Sequence, residues 1–213
     1  MNVLTLIFAL PILLYSAILH EIAHGLVADR LGDPTARLSG RLTLNPIKHI
    51  DPFMTILLPL LLIVTGSPII FGGAKPVPID PFNLKDGKKD IALVALAGPL
   101  TNILLATVCA LLYHGLNIVF AGNGITSLIL IFLQVAVMIN LYLAIFNLLP
   151  IPPLDGSKVF ALVLPDELAT AYLSIGTIGI IILFLLLSFP IAGFSLPDFM
   201  QNMFLILSHF LGM

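Results

Sequence analysis

Three ionisable side chains, His20, Glu21 and His24, follow directly on the apolar run 3–19 and form His-Glu-Ile-Ala-His. On a helix the two histidines lie one turn apart and share a face. That spacing lets both imidazoles reach one zinc ion, with Glu21 beside them as a candidate general base. Ionisable groups at membrane depth cost about 2.5–3.5 kcal/mol each on insertion scales, so they mark a working site. The bland reading, two core histidines without a metal, is poorer in lipid than in water, because buried polar groups there need partners.

The element carrying this group is a membrane helix. The chain has 213 residues, of which 59% are hydrophobic and 9% charged. A soluble domain has about 25% charged residues, so this chain cannot cover itself with polar surface and reads as a polytopic membrane protein. A net charge of −2 points to no class of partner. No basic stripe pairs with aromatics, which excludes a nucleic-acid surface. The single cysteine, Cys109, lies in an apolar helix and reads as a small buried hydrophobe. The N-terminus lacks a basic leader, and the first apolar run is expected to stay as a span.

Four apolar segments are long enough to cross a bilayer: roughly 3–28, 91–118, 125–148 and 167–189. The stretch 53–72 is broken by Pro59, Gly66 and Pro68, and 199–213 is short, a partial span or an interfacial helix. All nine Lys and Arg fall in three places. Arg30, Arg37, Arg41 and Lys48 follow the first span; Lys75, Lys85, Lys88 and Lys89 precede the second; Lys158 follows the third. The positive-inside rule puts all three groups in the cytoplasm. That works if 53–72 re-enters as a hairpin on the side it left. The expected fold is an all-α polytopic membrane protein with about four to six transmembrane helices, the re-entrant segment, and a small membrane-edge β-hairpin or sheet.

This topology sets depths. The first span runs inward, so His20 and His24 lie near its cytoplasmic end. The third long span also runs inward and ends at Asn147, before Ile151-Pro-Pro-Leu-Asp155-Gly156. Asp155 therefore arrives on the same side and at nearly the same depth. Zinc in hydrolases takes three protein ligands and keeps one position open for water. Asp155 is the preferred third ligand, against an ordinary turn aspartate before Gly156. Glu167, beside Asp166 at the start of the last long span, reads as a helix-terminal acid and is the alternative ligand. His114 falls near the outer end of its span, and His49 reads as a surface or loop histidine.

His-Glu-Ile-Ala-His in a first span, with Asn147-Leu-Leu-Pro150-Ile-Pro-Pro153-Leu-Asp155-Gly156 later, resembles the site-2 proteases, a family of intramembrane zinc metalloproteases. Gly40-Arg-Leu-Thr-Leu-Asn45-Pro46, Phe71-Gly-Gly-Ala-Lys75-Pro76-Val-Pro78 and Ala97-Gly98-Pro99-Leu-Thr-Asn102 carry the same likeness. It covers residues 15–160. The resemblance implies that one zinc is bound by His20, His24 and Asp155, that Glu21 is catalytic, and that Asn147 assists the substrate or the oxyanion. Many relatives carry an extra leading span or PDZ or CBS domains, and this chain shows none of these. On this view residues 1–213 are a single membrane-embedded metalloprotease domain, with a catalytic core over about 3–160 and C-terminal helices over about 165–213. The expected partners are a transmembrane protein substrate and the lipid bilayer; no feature fixes an oligomeric state. The expected location is the cell membrane, multi-pass, with the site toward the cytoplasm.

The expected reaction is peptide hydrolysis, with Glu21 moving the proton and the amide of Asn147 donating to the oxyanion. The substrate helix must unwind to expose a peptide bond. Residues 37–44 alternate in part and read as a short strand. Lys75-Pro-Val-Pro-Ile allows an edge-strand or polyproline-like conformation. An edge there would pair with substrate by strand addition; the plainer reading is a membrane-surface hairpin. Gly98, Pro99 and Asn102 read as close helix packing, with Asn102 hydrogen-bonded across the site-bearing helices. Asn140, two turns before Asn147, reads as a packing residue. Three alternatives compete: a metal-binding membrane transporter, a catalytically silent membrane chaperone of the same fold, and a zinc protease of another fold in which Glu167 replaces Asp155. A transporter needs a polar path and often shows internal repeats; the outer half offers little beyond His114.

Overall fold

The computed structural model describes residues 3–52, 74–120 and 124–213, with 57, 61 and 64 between them. Its frame is three long helices: α1 (Val3–Leu31), α3 (Lys88–Phe120) and α4 (Gly124–Asn147). All three contain segments long and apolar enough to cross a bilayer. A short turn, α2 (Thr35–Leu38), follows α1. The C-terminal part comprises α5 (Asp155–Phe160), α6 (Asp166–Leu173), α7 (Gly176–Ser188) and α8 (Leu196–Phe210).

The long helices pack through small residues, which let backbones approach in lipid. Ala106 and Ala110 of α3 meet Val137 and Leu141 of α4 in one buried cluster. Ile12 of α1 meets Val135 and Ala136 of α4 in another. Large apolar side chains point outward instead: Leu10, Leu104, Leu111 and Ile118 are more than half exposed. Such a surface suits acyl chains and not water, and the chain is a membrane protein of mainly helical structure with three to four candidate spans.

Three expectations meet a different outcome. Among the described residues no strand forms; the one β-bridge is the isolated pair Ile191–Phe194. Residues 37–44 finish α2 and then turn, with Gly40 at φ +61°. Their polar alternation has no partner strand, so local backbone bonds such as Gly40 N–H to Arg37 O prevail. Residues 75–79 join no ladder.

The expected span 167–189 breaks between α6 and α7, which meet at 72°, where Gly176 adopts φ +45°. Leu183 and Leu187 of α7 pack with Leu149 and Leu154, and Leu196 and Met200 of α8 join the same cluster. The connection from α7 to α8 therefore lies at the Asn147 end of α4. From there α8 runs back along the bundle. Phe204 stacks on Tyr142, and His114 Nε2 meets Leu211 O at 2.8 Å. The re-entrant hairpin expected over 53–72 falls outside the described residues apart from 57, 61 and 64.

The polar residues that follow α1 form a tight knot. Asp33 is fully buried and accepts from the Asp80 N–H (2.7 Å), Asn83 Nδ2 (3.0 Å), and both the N–H and hydroxyl of Thr35. This one carboxylate joins the end of α1, the start of α2 and the 80–83 turn. His49 is also fully buried, with Nε2 2.8 Å from Thr43 O, and is not a surface histidine.

Candidate active site and metal centre

Helical periodicity puts His20 and His24 on the face of α1 that packs on α3. Both rings are held from behind. His20 Nδ1 lies 2.6 Å from Asn102 Oδ1, and His24 Nδ1 lies 2.6 Å from the carbonyl oxygen of Val94. A carbonyl oxygen only accepts, so each Nδ1 carries the proton and each neutral ring presents its Nε2 lone pair to the other side.

Asp155 reaches those lone pairs from a different element. After α4 ends at Asn147, two tight turns (Ile151 N–H to Leu149 O, Leu154 N–H to Ile151 O) lead into α5, whose first residue is Asp155. A Cβ on Gly156 would run into the backbone oxygen of Leu148, so only glycine lets the start of α5 sit this close to the end of α4. Asp155 Oδ2 lies 3.1 Å from His20 Nε2 and 3.1 Å from His24 Nε2, and the two Nε2 atoms are 3.0 Å apart. Its other oxygen, Oδ1, is 3.0 Å from Lys158 Nζ.

Three electron-pair donors thus converge with no proton between them, which calls for a cation. Metal–ligand bonds of about 2.0–2.1 Å in a tetrahedron separate ligand atoms by about 3.3 Å, near the spacing found here. The structure also leaves room in front of the rings. A Cβ on Gly98 would stand 2.5 Å from both Nε2 atoms. Glu21 adjoins the histidines, and His20, Glu21 and His24 form a group able to hold a metal ion. Its Oε2 accepts the Val77 N–H at 2.8 Å.

A cavity of about 410 Å³ opens beside these groups, lined by His20, Glu21, His24, Val77, Asn147, Asp155 and Lys158 with apolar neighbours such as Ile79 and Val94. Asn147 donates one side-chain N–H to Leu143 O (2.9 Å). Glu167 is exposed on α6, away from this cavity. His114 sits at the far end of α3 against α8. Sequence reasoning missed the roles of Lys158 and of Gly98 at the rings. The spacing of Lys158, three residues after Asp155 on a helix, was an available signal; the Gly98 contact depends on how α3 is rotated, which no local pattern encodes.

The 75–79 segment is not a free edge. The Val77 N–H goes to Glu21, and Arg41 Nη2 donates to the carbonyls of Lys75 (2.9 Å) and Pro76 (3.3 Å). Pro76 and Pro78 offer no N–H of their own.

A frame of apolar helices thus carries a group of histidine and carboxylate side chains able to hold a metal ion, and comparison with known proteins gives the class of protein. The sequence pattern of peptidase family M50, the site-2 protease family, matches residues 8–187. The chain belongs to this family and is a zinc metallopeptidase. It is 36% identical over 190 residues to the Bacillus subtilis protein named "Putative zinc metalloprotease YwhC", covering 86% of this chain and 81% of that one. It is 38% identical over 150 residues to "Putative zinc metalloprotease Rip2" of Mycolicibacterium smegmatis, covering 67% of this chain and 52% of that protein, so it spans about half of that relative. No solved structure matches the chain. The family membership sets aside the transporter reading.

Proposed function

We propose that the chain hydrolyses peptide bonds of transmembrane substrates near the cytoplasmic face, with His20, His24 and Asp155 as zinc ligands, Glu21 as general base and Asn147 as an oxyanion donor. The observation that carries this reading is the mutual 3.0–3.1 Å spacing of two histidine Nε2 atoms and one carboxylate oxygen. Both rings are fixed from behind so that only lone pairs face inward. When bound, zinc polarises the scissile carbonyl and lowers the pKa of water toward about 7. Glu21 takes the proton of the attacking water and hands it to the leaving amine. Its bond to the Val77 N–H fixes the carboxylate beside the cavity. The Asn147 amide has two N–H donors; Leu143 O takes one, and the second serves the oxygen that gains charge.

A substrate within the membrane is supported by a cavity set among helices whose outer faces suit lipid. The cations support the cytoplasmic placement: Arg30 in the last turn of α1, Arg37 and Arg41 after it, Lys85 before α3, Lys88 and Lys89 at its start, and Lys158 in α5 all gather at the site end. Zinc content of the purified wild type, Asp155→Ala and Glu167→Ala, measured alongside cleavage of a model transmembrane peptide, tests the ligand set. Asp155→Ala should lose zinc and cleavage while Glu167→Ala keeps both. Full zinc occupancy in Asp155→Ala would sink the assignment.

A further inference from the structure

We infer that Asn102 and Asn140 form a positioning relay that dictates which nitrogen of His20 faces the metal; this rests on the ligand role proposed for His20. The relay starts at a backbone group that cannot turn round. Ala136 O, in α4, accepts from Asn140 Nδ2 at 2.9 Å. Asn140 must then present its oxygen to α3, where Oδ1 accepts from Asn102 Nδ2 at 2.9 Å. Asn102 in turn presents Oδ1 to α1, 2.6 Å from His20 Nδ1.

Each amide is ordered by the one before it. If Asn102 were reversed, its NH₂ would face His20 Nδ1 and push the ring proton to Nε2. That nitrogen stands 3.0 Å from His24 Nε2 and 3.1 Å from Asp155 Oδ2, and a proton there bars ligation. Water cannot substitute, since Asn102 is 0% and Asn140 2% exposed. His24 needs no such relay: its Nδ1 proton meets a main-chain carbonyl, Val94 O, which has only one orientation. The protein thus uses a backbone group for one ring and a three-helix side-chain chain for the other. Asn102 and Asn140 touch neither the cavity nor the candidate base, so they position and do not react.

The test compares wild type, Asn102→Leu, Asn140→Leu and Asn102→Asp, each as the full chain in detergent. Zinc affinity is read by chelator competition, the His20 tautomer by ¹⁵N NMR of the metal-free protein (assigned against His20→Gln), and stability by metal-free thermal unfolding. Asn102→Leu should bind zinc about 10–100-fold more weakly and lose the pure Nδ1–H tautomer. Asn140→Leu should shift both in the same direction by less. Asn102→Asp, whose carboxylate only accepts, should keep the tautomer and bind zinc more tightly than Asn102→Leu. Wild-type zinc affinity and tautomer in a folded Asn102→Leu, with or without a lower unfolding temperature, would overturn the relay alone. Full zinc binding by His20→Gln would overturn the ligand reading and the relay with it.

Discussion

At His20 and His24 the nitrogens turned away from the cavity decide what the cavity-facing nitrogens can do. Their partners are an amide oxygen and a main-chain carbonyl, so the rings arrive with lone pairs inward. The nearness of His20 to His24 was legible from helical spacing, and that of Asp155 from the depth at which its span ends. Val94 O was not legible, because every residue has a carbonyl and only the crossing of α1 and α3 selects this one. Gly98 makes the same point. A methyl at this position would stand 2.5 Å from both Nε2 atoms, so something must shift to admit it. Gly98→Ala should therefore push the rings apart and weaken zinc binding at least about tenfold, in the range of other lost supports of metal ligands. Chelator competition on the purified protein checks this, and unchanged affinity would mean that the gap between the helices adapts.

The elements around the site depend on bonds that alternation and hydropathy do not encode. Residues 37–44 have a strand-like pattern, yet with no partner strand they close a helical turn. The knot that replaces the expected hairpin is tied by Asp33, whose carboxylate accepts from Thr35, Asp80 and Asn83 across 50 residues. Asp33→Ala removes the buried carboxylate that these part-buried donors share and should cost about 1–3 kcal/mol, read as a lower unfolding temperature. The pH dependence has a definite sign. Burial alone would raise this pKa, but the bonds from Thr35 and Asn83 and from the Asp80 and Thr35 amides outweigh it and lower it. The stabilisation is then complete above the ordinary carboxylate pKa of about 3.9. It fades as the pH falls through the lower folded value. Wild type and Asp33→Ala should converge in stability under strong acid. A gap that persists there would contradict an ionised Asp33. The break at Gly176 was likewise hidden, since the apolar run 175–189 looks the same whether it crosses or turns back.

Across the whole molecule, charge and packing give one arrangement with α1 and α4 parallel, α3 opposed, and the α7–α8 connection at the site end. Leu196 and Leu149 share a cluster there, and Lys88 of α3 pairs with Asp166 of α6 at 2.6 Å. Cysteines introduced at Lys85 and Ile191, in a chain with Cys109 replaced by alanine, should label with an impermeant maleimide from the cytoplasmic side. One at Ile118 should label from the opposite side. Labelling of positions 85 and 191 from opposite sides would mean that 167–189 crosses the bilayer as one span. The three long helices and the clustering of cations at one end of them were legible because lipid imposes length and charge asymmetry on any sequence. The return of α7 was not, because it follows from contacts with the 149–154 turn. All of these features serve one chemical claim, that Glu21 moves the proton at a zinc site inside the membrane. Glu21→Gln keeps size and removes basicity. In proteoliposomes with a model transmembrane peptide it should retain zinc at the wild-type level and lose cleavage by at least about 10²-fold. Wild-type cleavage by zinc-loaded Glu21→Gln would contradict the account.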